Sequence, residues 1–197
     1  MIVLCSNLTI PYCGRFFHCF YLEERKNCAT ALAGHRAAIL FNRNLRSIVT
    51  MIELNTFKKL LEENEECLPL LTLDEFFNGN TEEDSIAPNQ WEFGRPTLSE
   101  IWDMLQKIEL MPNIAWVRVT LHDDTEIAEN NGAEELVLAG DTIVICTTIL
   151  AAELEKLVNC EWLCSDGVIT ITASELNTYS CVPPIPENFN CLEIVWD

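Results

Sequence analysis

The stretch Asp141-Thr-Ile-Val-Ile-Cys-Thr-Thr148, running on into Ile149-Leu-Ala-Ala-Glu-Leu-Glu-Lys-Leu-Val158, decides how this chain folds. Its first half is an apolar, β-branched run with no Gly or Pro inside, the pattern of a strand buried on both faces. Its second half changes period. Leu150, Leu154, Leu157 and Val158 recur at helical spacing and predict an amphipathic helix. Thr147 or Thr148 stands at the junction, where a side-chain oxygen is placed to cap the first free backbone N–H groups. A buried strand feeding a helix predicts the centre of an α+β or α/β domain.

Upstream of this centre, Asn55 is placed to cap a helix over Thr56–Glu63, with Leu54, Phe57, Leu60 and Leu61 on one face. Thr72-Leu-Asp-Glu75 and Thr97-Leu-Ser-Glu100 are capping boxes, each pairing a hydroxyl with a carboxylate three residues on. They predict a short helical turn at Leu73–Phe77 and a longer helix at Leu98–Glu109, ended by Pro112-Asn113. Between them, Asn78–Pro96 reads as a polar loop, with Trp91 and Phe93 as the apolar pins that hold it to the body. Ala115–Leu121 alternates, with Trp116, Arg118 and Thr120 opposite the apolar face, and predicts a half-buried strand. His122–Gly132 reads as an acidic loop closed by an Asn-Gly turn. Leu136–Leu138 and Thr142–Thr147 predict a hairpin around Ala139-Gly140-Asp141.

Downstream, Glu161–Cys164 and Val168–Ile171 predict a second hairpin around Ser165-Asp166-Gly167. Thr172-Ala-Ser-Glu175 is a third capping box, Pro183, Pro184 and Pro186 impose an extended irregular segment, and Cys191–Trp196 alternates as a last strand. The sum predicts an α+β fold: a mixed, mostly antiparallel sheet of about five to six short strands with about two or three packed helices.

Charge divides the 197 residues unevenly. Residues 1–50 hold six Lys or Arg and two acids, a balance of +4; residues 51–197 hold six bases and 29 acids, a balance of −23. Four of the ten cysteines (Cys5, Cys13, Cys19, Cys28) fall in the first part. A break this sharp predicts a boundary near residue 50. Met51-Ile-Glu-Leu-Asn-Thr56 reads as an ordinary protein start, so residues 1–50 are expected to be a basic, Cys-containing extension of low order or the product of a misassigned start; the alternative is a small basic element packed on the acidic body. Arg15–Tyr21 suits a short strand and Ala31–Leu40 a helix. Residues 51–197 are expected to form a single acidic α+β domain. No apolar run reaches the length of roughly 18 residues that a membrane span needs, so the expectation is a soluble, cytoplasmic protein with reduced cysteines and no membrane partner.

Candidate chemistry is sparse. Cys160 and Cys164, placed on one face of a strand by the hairpin reading, lack a second ligand pair with zinc spacing. His122-Asp-Asp-Thr-Glu126 lacks EF-hand spacing and reads as a solvated acidic loop. No metal site and no cofactor are expected, since no glycine-rich phosphate loop is present. One catalytic arrangement is conceivable: Cys146 as a thiol nucleophile before a helix N-terminus, His122 as its base and Asp123 as the orienting carboxylate, in a small thiol-dependent hydrolase or transferase.

Two acid runs carry the other reading. Ten acids lie between Glu62 and Glu92, nine lie between Asp123 and Glu155, and neither run contains a Lys or Arg. Direct nucleic-acid binding is disfavoured, because phosphate contacts need basic side chains. Clustered carboxylates instead suit a docking face for a basic protein, as in inhibitor and immunity-type modules. Glu82, Glu83, Asp84, Asp123, Asp124, Glu126 and Glu129 would supply the charge, with Trp91, Phe93, Phe76 and Phe77 as aromatic anchors. A non-catalytic acidic interaction protein is the expectation the composition favours.

Overall fold

A computed structural model describes residues 50–91 and 93–196. The strand expected at Arg15–Tyr21, the helix expected at Ala31–Leu40 and the nature of the basic extension lie outside the described residues. The elements run α1 (Leu54–Glu63), α2 (Leu73–Phe77), a 3-10 turn at Glu83–Ser85, α3 (Pro88–Trp91), α4 (Leu98–Glu109), β1 (Ile114–Leu121), β2 (Glu126–Asn130), β3 (Ala133–Val137), β4 (Gly140–Thr147), α5 (Ala151–Val158), α6 (Cys160–Leu163), β5 (Gly167–Thr170), α7 (Ala173–Leu176) and β6 (Asn190–Val195). Four strands form an antiparallel sheet in the order β1-β4-β6-β5, and β2 and β3 form a separate two-stranded ribbon. The fold is α+β.

The apolar run of β4 makes it central. Ile143 and Ile145 point into the main core, against Val117 and Val119 of β1, Leu192 and Ile194 of β6, and the inner faces of α1, α2, α4 and α5. Val144 and Cys146 point the other way, into a smaller cluster with Leu70, Trp116, Ile171, Leu176 and Cys191. Each fully buried Ile or Leu contributes about 1.5–3 kcal/mol, so both faces of β4 hold the sheet. The second cluster also corrects the reading of β1 as half-buried. Trp116 and Thr120 are buried at 6% and 0% exposure, because Leu70 and the α7 segment cover the face expected to meet water.

All three capping boxes form. Thr72, Thr97 and Thr172 accept from the backbone N–H of Glu75, Glu100 and Glu175, and each carboxylate reaches back to the cap residue's N–H. The hydrogen bonds to the Glu100 and Glu175 carboxylates hold both groups below the usual carboxylate range. The other two helix starts differ from expectation. Asn55 lies inside α1, whose cap residue Glu53 makes no side-chain bond. Thr147 caps no helix; it accepts from Ile149 N–H at 3.0 Å and donates to the Asn113 carbonyl at 2.9 Å. Leu150 becomes the cap position of α5 and stands 68% exposed, so Leu154 and Val158 alone supply its fully buried face.

Three pairings depart from the local signals. The acidic loop after His122 contains β2, which pairs with β3 around Asn131-Gly132. Both turn residues have positive φ, 53° and 80°, the geometry two-residue hairpins favour. The hairpin expected between Leu136–Leu138 and β4 does not form, because β1 and β6 occupy both edges of β4. Glu161–Cys164 is helical rather than extended. Asn159, at φ 56°, ends α5 and accepts from Trp162 N–H at 3.3 Å to start α6, so Cys160 and Cys164 sit one helical turn apart. β5 then pairs with β6 instead.

The Asn78–Pro96 loop is pinned by other residues than expected. Phe93 is 80% exposed and Trp91 37%. Ile86, wholly buried, makes a bridge to Gly140, and the buried Arg95 guanidinium bonds to the carbonyls of Pro96 and Glu83 while lying 4.9 Å from the Trp91 ring centroid. At Gly140 a side chain has no room: a Cβ would stand 2.9 Å from Phe76 Cζ and 3.3 Å from Ile86 Cγ1. Gly140→Ala is therefore expected to cost about 1–3 kcal/mol by overpacking. The check is the urea midpoint at unchanged slope; an unaltered midpoint would mean that the Phe76 ring yields freely.

Candidate functional site

The ends of β1 and β4 build the site. His122 follows β1, and its N–H donates to the Ala139 carbonyl at 2.8 Å. Thr125 Oγ1 clamps the same residue twice at 3.0 Å, donating to its carbonyl and accepting its N–H. This clamp holds the turn 122–125 against the start of β4. His122 Nδ1 lies 3.1 Å from both the N–H and a carboxylate oxygen of Asp124. Across from it, the Ile86–Gly140 bridge sets the segment Asp84–Asn89 beside the same strand end.

Two clefts open on either side of His122 and Asp141. One, of about 320 Å³, lies between Asp84–Asn89 and the turn carrying Asp124. The other, of about 530 Å³, is bounded by Glu66–Leu68, Asp123 and Tyr179. Five carboxylates (Glu66, Asp84, Asp123, Asp124, Asp141) line the pair, and among the described residues no Lys or Arg does. Of the six basic residues after residue 50, Lys58, Lys59, Arg95 and Arg118 are held in ion pairs with Glu134, Glu63, Glu83 and Glu109. Among the described residues little positive charge is left to neutralise the clefts. Low-dielectric walls concentrate such a field and draw in cations.

A partly buried polar chain starts from Tyr179 in the wall of the second cleft. Thr142 Oγ1 donates to Glu193 Oε1 at 2.7 Å and lies 2.9 Å from Thr120 Oγ1, which also accepts from Thr142 N–H at 2.8 Å. The Tyr179 hydroxyl lies beside Thr120. Burial raises the Glu193 carboxyl above its ordinary range; the Thr142 bond opposes this, and the charges of Asp141 and Glu175 add to it. Burial, with Asp141 and Glu193 nearby, likewise raises the Tyr179 phenol. Sequence spacing gave no warning of this chain. Its members come from β1, β4, β6 and the segment after α7.

The expected site residues fall into three groups. Asp84, Asp123 and Asp124 line the clefts, together with Glu66 and Asp141, which sequence reasoning did not select. Glu82, Glu126 and Glu129 are exposed but line neither cleft. Glu129 directly opposes Glu134 across the ribbon, a like-charge pair that is locally unfavourable. Glu83 serves the fold, accepting from Leu98 N–H at 2.9 Å and lying 3.8 Å from Arg95. Phe76 and Phe77 are core side chains, at 0% and 3% exposure, and are not surface anchors. Trp91 and Phe93 do reach the surface.

The thiol–imidazole pair is not assembled. Trp116 opposes Cys146 and Leu121 opposes Gly140, so Cys146 and His122 lie at opposite ends of the sheet, about 20 Å apart at ~3.3 Å per residue. Cys146 is wholly buried, and desolvation, with the neighbouring Cys191, pushes its thiol up to about 12. That is opposite to the lowered value expected beside a helix start. Asp123 accordingly has no catalytic histidine–thiol pair to orient. Among the described residues no cluster of three or more His, Cys, Asp or Glu is arranged to hold a metal ion, and no helix is long and apolar enough to cross a membrane.

The profile of the Uncharacterized protein YfbO family matches residues 52–194, and the chain belongs to that family. No curated protein and no solved structure matches it.

Proposed function

We propose that this YfbO-family chain is a non-catalytic, cytoplasmic interaction module that binds a basic protein through the acidic double cleft. One observation carries the reading: two acid runs far apart in sequence, around Asp84 and around Asp124, meet on a single cleft that among the described residues contains no Lys or Arg. On the neighbouring ribbon Lys58 already neutralises Glu134, and the exposed Glu126 and Glu129 extend the acidic surface. Exposed Phe93 and Trp91 offer apolar contact on the loop that continues from Asp84–Asn89. Nucleic acid is the wrong ligand for such a face. A basic nuclease, another basic toxin or a nucleic-acid-binding protein is the right kind, which makes the module inhibitor- or immunity-like.

The test is binding of the full chain to a fluorescent oligo-arginine peptide at low and high salt. Asp84→Asn/Asp124→Asn/Asp141→Asn is expected to weaken binding at least roughly tenfold at low salt, equivalent to about 1.4 kcal/mol. The wild-type affinity should fall steeply as salt shortens the screening length below the ~8 Å of physiological solution. Equal affinity of the two proteins, or binding indifferent to salt, would remove the cleft as the docking site.

A further inference from the structure

We propose that Cys146 and Cys191 form a reversible cross-strand disulfide, a redox modification site whose oxidant is hydrogen peroxide. In the antiparallel register of β4 and β6 the two residues are directly opposed. Opposed residues in such a pair have Cα atoms about 4.5–5.5 Å apart, within the ~4.4–6.8 Å that a disulfide spans. The two side chains point to the same face of the sheet. Both side chains are buried, at 0% and 4% exposure, in the small cluster on the outer face of the sheet. The remaining described cysteines offer no equivalent. Cys67 and Cys181 are exposed. Cys160 and Cys164 are one helical turn apart, where Cβ atoms stand about 5–6 Å from each other, beyond the ~3.5–4.5 Å a disulfide needs.

The chemistry balances with peroxide alone. The Cys191 sulfur attacks one peroxide oxygen, the O–O bond breaks, and one water leaves with the thiol proton, giving a sulfenic acid. The Cys146 sulfur then attacks that sulfur, the S–S bond forms and a second water leaves. Two sulfur electrons and two thiol protons have reduced the peroxide, and a low-molecular-weight thiol restores the pair by exchange. The cover over the sulfurs includes Tyr179, Val182 and Phe189 on an irregular segment, tied down where Trp116 Nε1 donates to the Pro184 carbonyl at 3.1 Å. Opening of this cover admits the oxidant, so the pair reacts more slowly than the exposed thiols.

The experiment exposes the folded full chain to hydrogen peroxide until long after Cys67 and Cys181 are consumed. Remaining thiols are alkylated, and the unfolded chain is digested and mapped without reductant. The expected result is a peptide pair joining Cys146 to Cys191, released by reductant, and a higher urea midpoint for the linked protein. Cys191→Ala and Cys146→Ala should each abolish the link and the shift. If either variant fails to fold, the wild-type map decides by itself. Recovery of both residues as alkylated thiols, or their linkage to other cysteines, overturns the proposal.

Discussion

Replacing Phe76 by alanine is expected to cost about 3–5 kcal/mol, the range for emptying a buried aromatic site. A domain of this size has a total stability of only about 5–15 kcal/mol, so the variant should sit near the edge of folding. The ring is wholly buried and meets Phe77 edge-on, with centroids 4.9 Å apart. Its tip fills the space above Gly140, which has no side chain of its own, and Ile86 closes the same space from the loop side. The ring therefore joins three segments that share no local sequence: α2, the first residue of β4 and the loop that walls the smaller cleft. Phe76→Ala should lower the urea midpoint and also release the loop, so that limited proteolysis cuts between Glu82 and Arg95 before the rest of the domain. A cost below about 1.5 kcal/mol would mean that the site collapses around the gap. Early cutting elsewhere would show that Ile86 and Arg95 hold the loop without the ring.

Thr142→Val is expected to be the most pH-sensitive change in the protein. The substitution nearly preserves shape at a position 7% exposed, but it removes the donor to Glu193 and the partner of Thr120. Burial already raises the folded-state value of Glu193 above its unfolded value. The folded protein therefore holds a proton that the unfolded chain gives up between those two values. The stability this group contributes is fully present below the unfolded value and is lost as pH rises through the folded one. Without the Thr142 hydroxyl the folded value rises further, and at neutral pH a partly buried carboxylate is left without its hydrogen bond. The cost should be small in acid and grow to about 2–3 kcal/mol near neutrality. Glu193→Gln keeps an oxygen for Thr142 and removes the charge. It should match or exceed the wild type at neutral pH and flatten the pH dependence. Denaturation midpoints across the carboxylate range read both effects. An equal cost of Thr142→Val at acid and neutral pH would remove Glu193 as the responsible group. Glu109, raised by burial in the same direction, supplies part of the wild-type slope. Glu100 and Glu175 act in the opposite sense, since their folded values lie below the unfolded ones and their stability is lost as pH falls.

What could be read before folding was whatever the chain decides within a few residues. The three Thr-x-x-Glu boxes each start a helix, because cap and box carboxylate are three positions apart on one turn. The run at Ile143–Cys146 has no polar side to turn outward, so its burial on both faces was legible. Pairing was not. Thr142–Thr147 had a plausible hairpin partner at Leu136–Leu138, yet β1 and β6 took both of its edges, and β6 arrives from some 45 residues further on.

The site divides the same way. That the body must carry an excess of negative charge, and that Asp84, Asp123 and Asp124 belong to runs without cations, was settled by composition and order of residues alone. That Glu66, Asp84, Asp124 and Asp141 share one end of the sheet, while Cys146 lies at the other with Cys191 against it, was decided only by strand register. The physical reason is that capping and amphipathic burial act over one helical turn or one strand pleat, whereas register is chosen by competition among distant edges for the same backbone donors and acceptors.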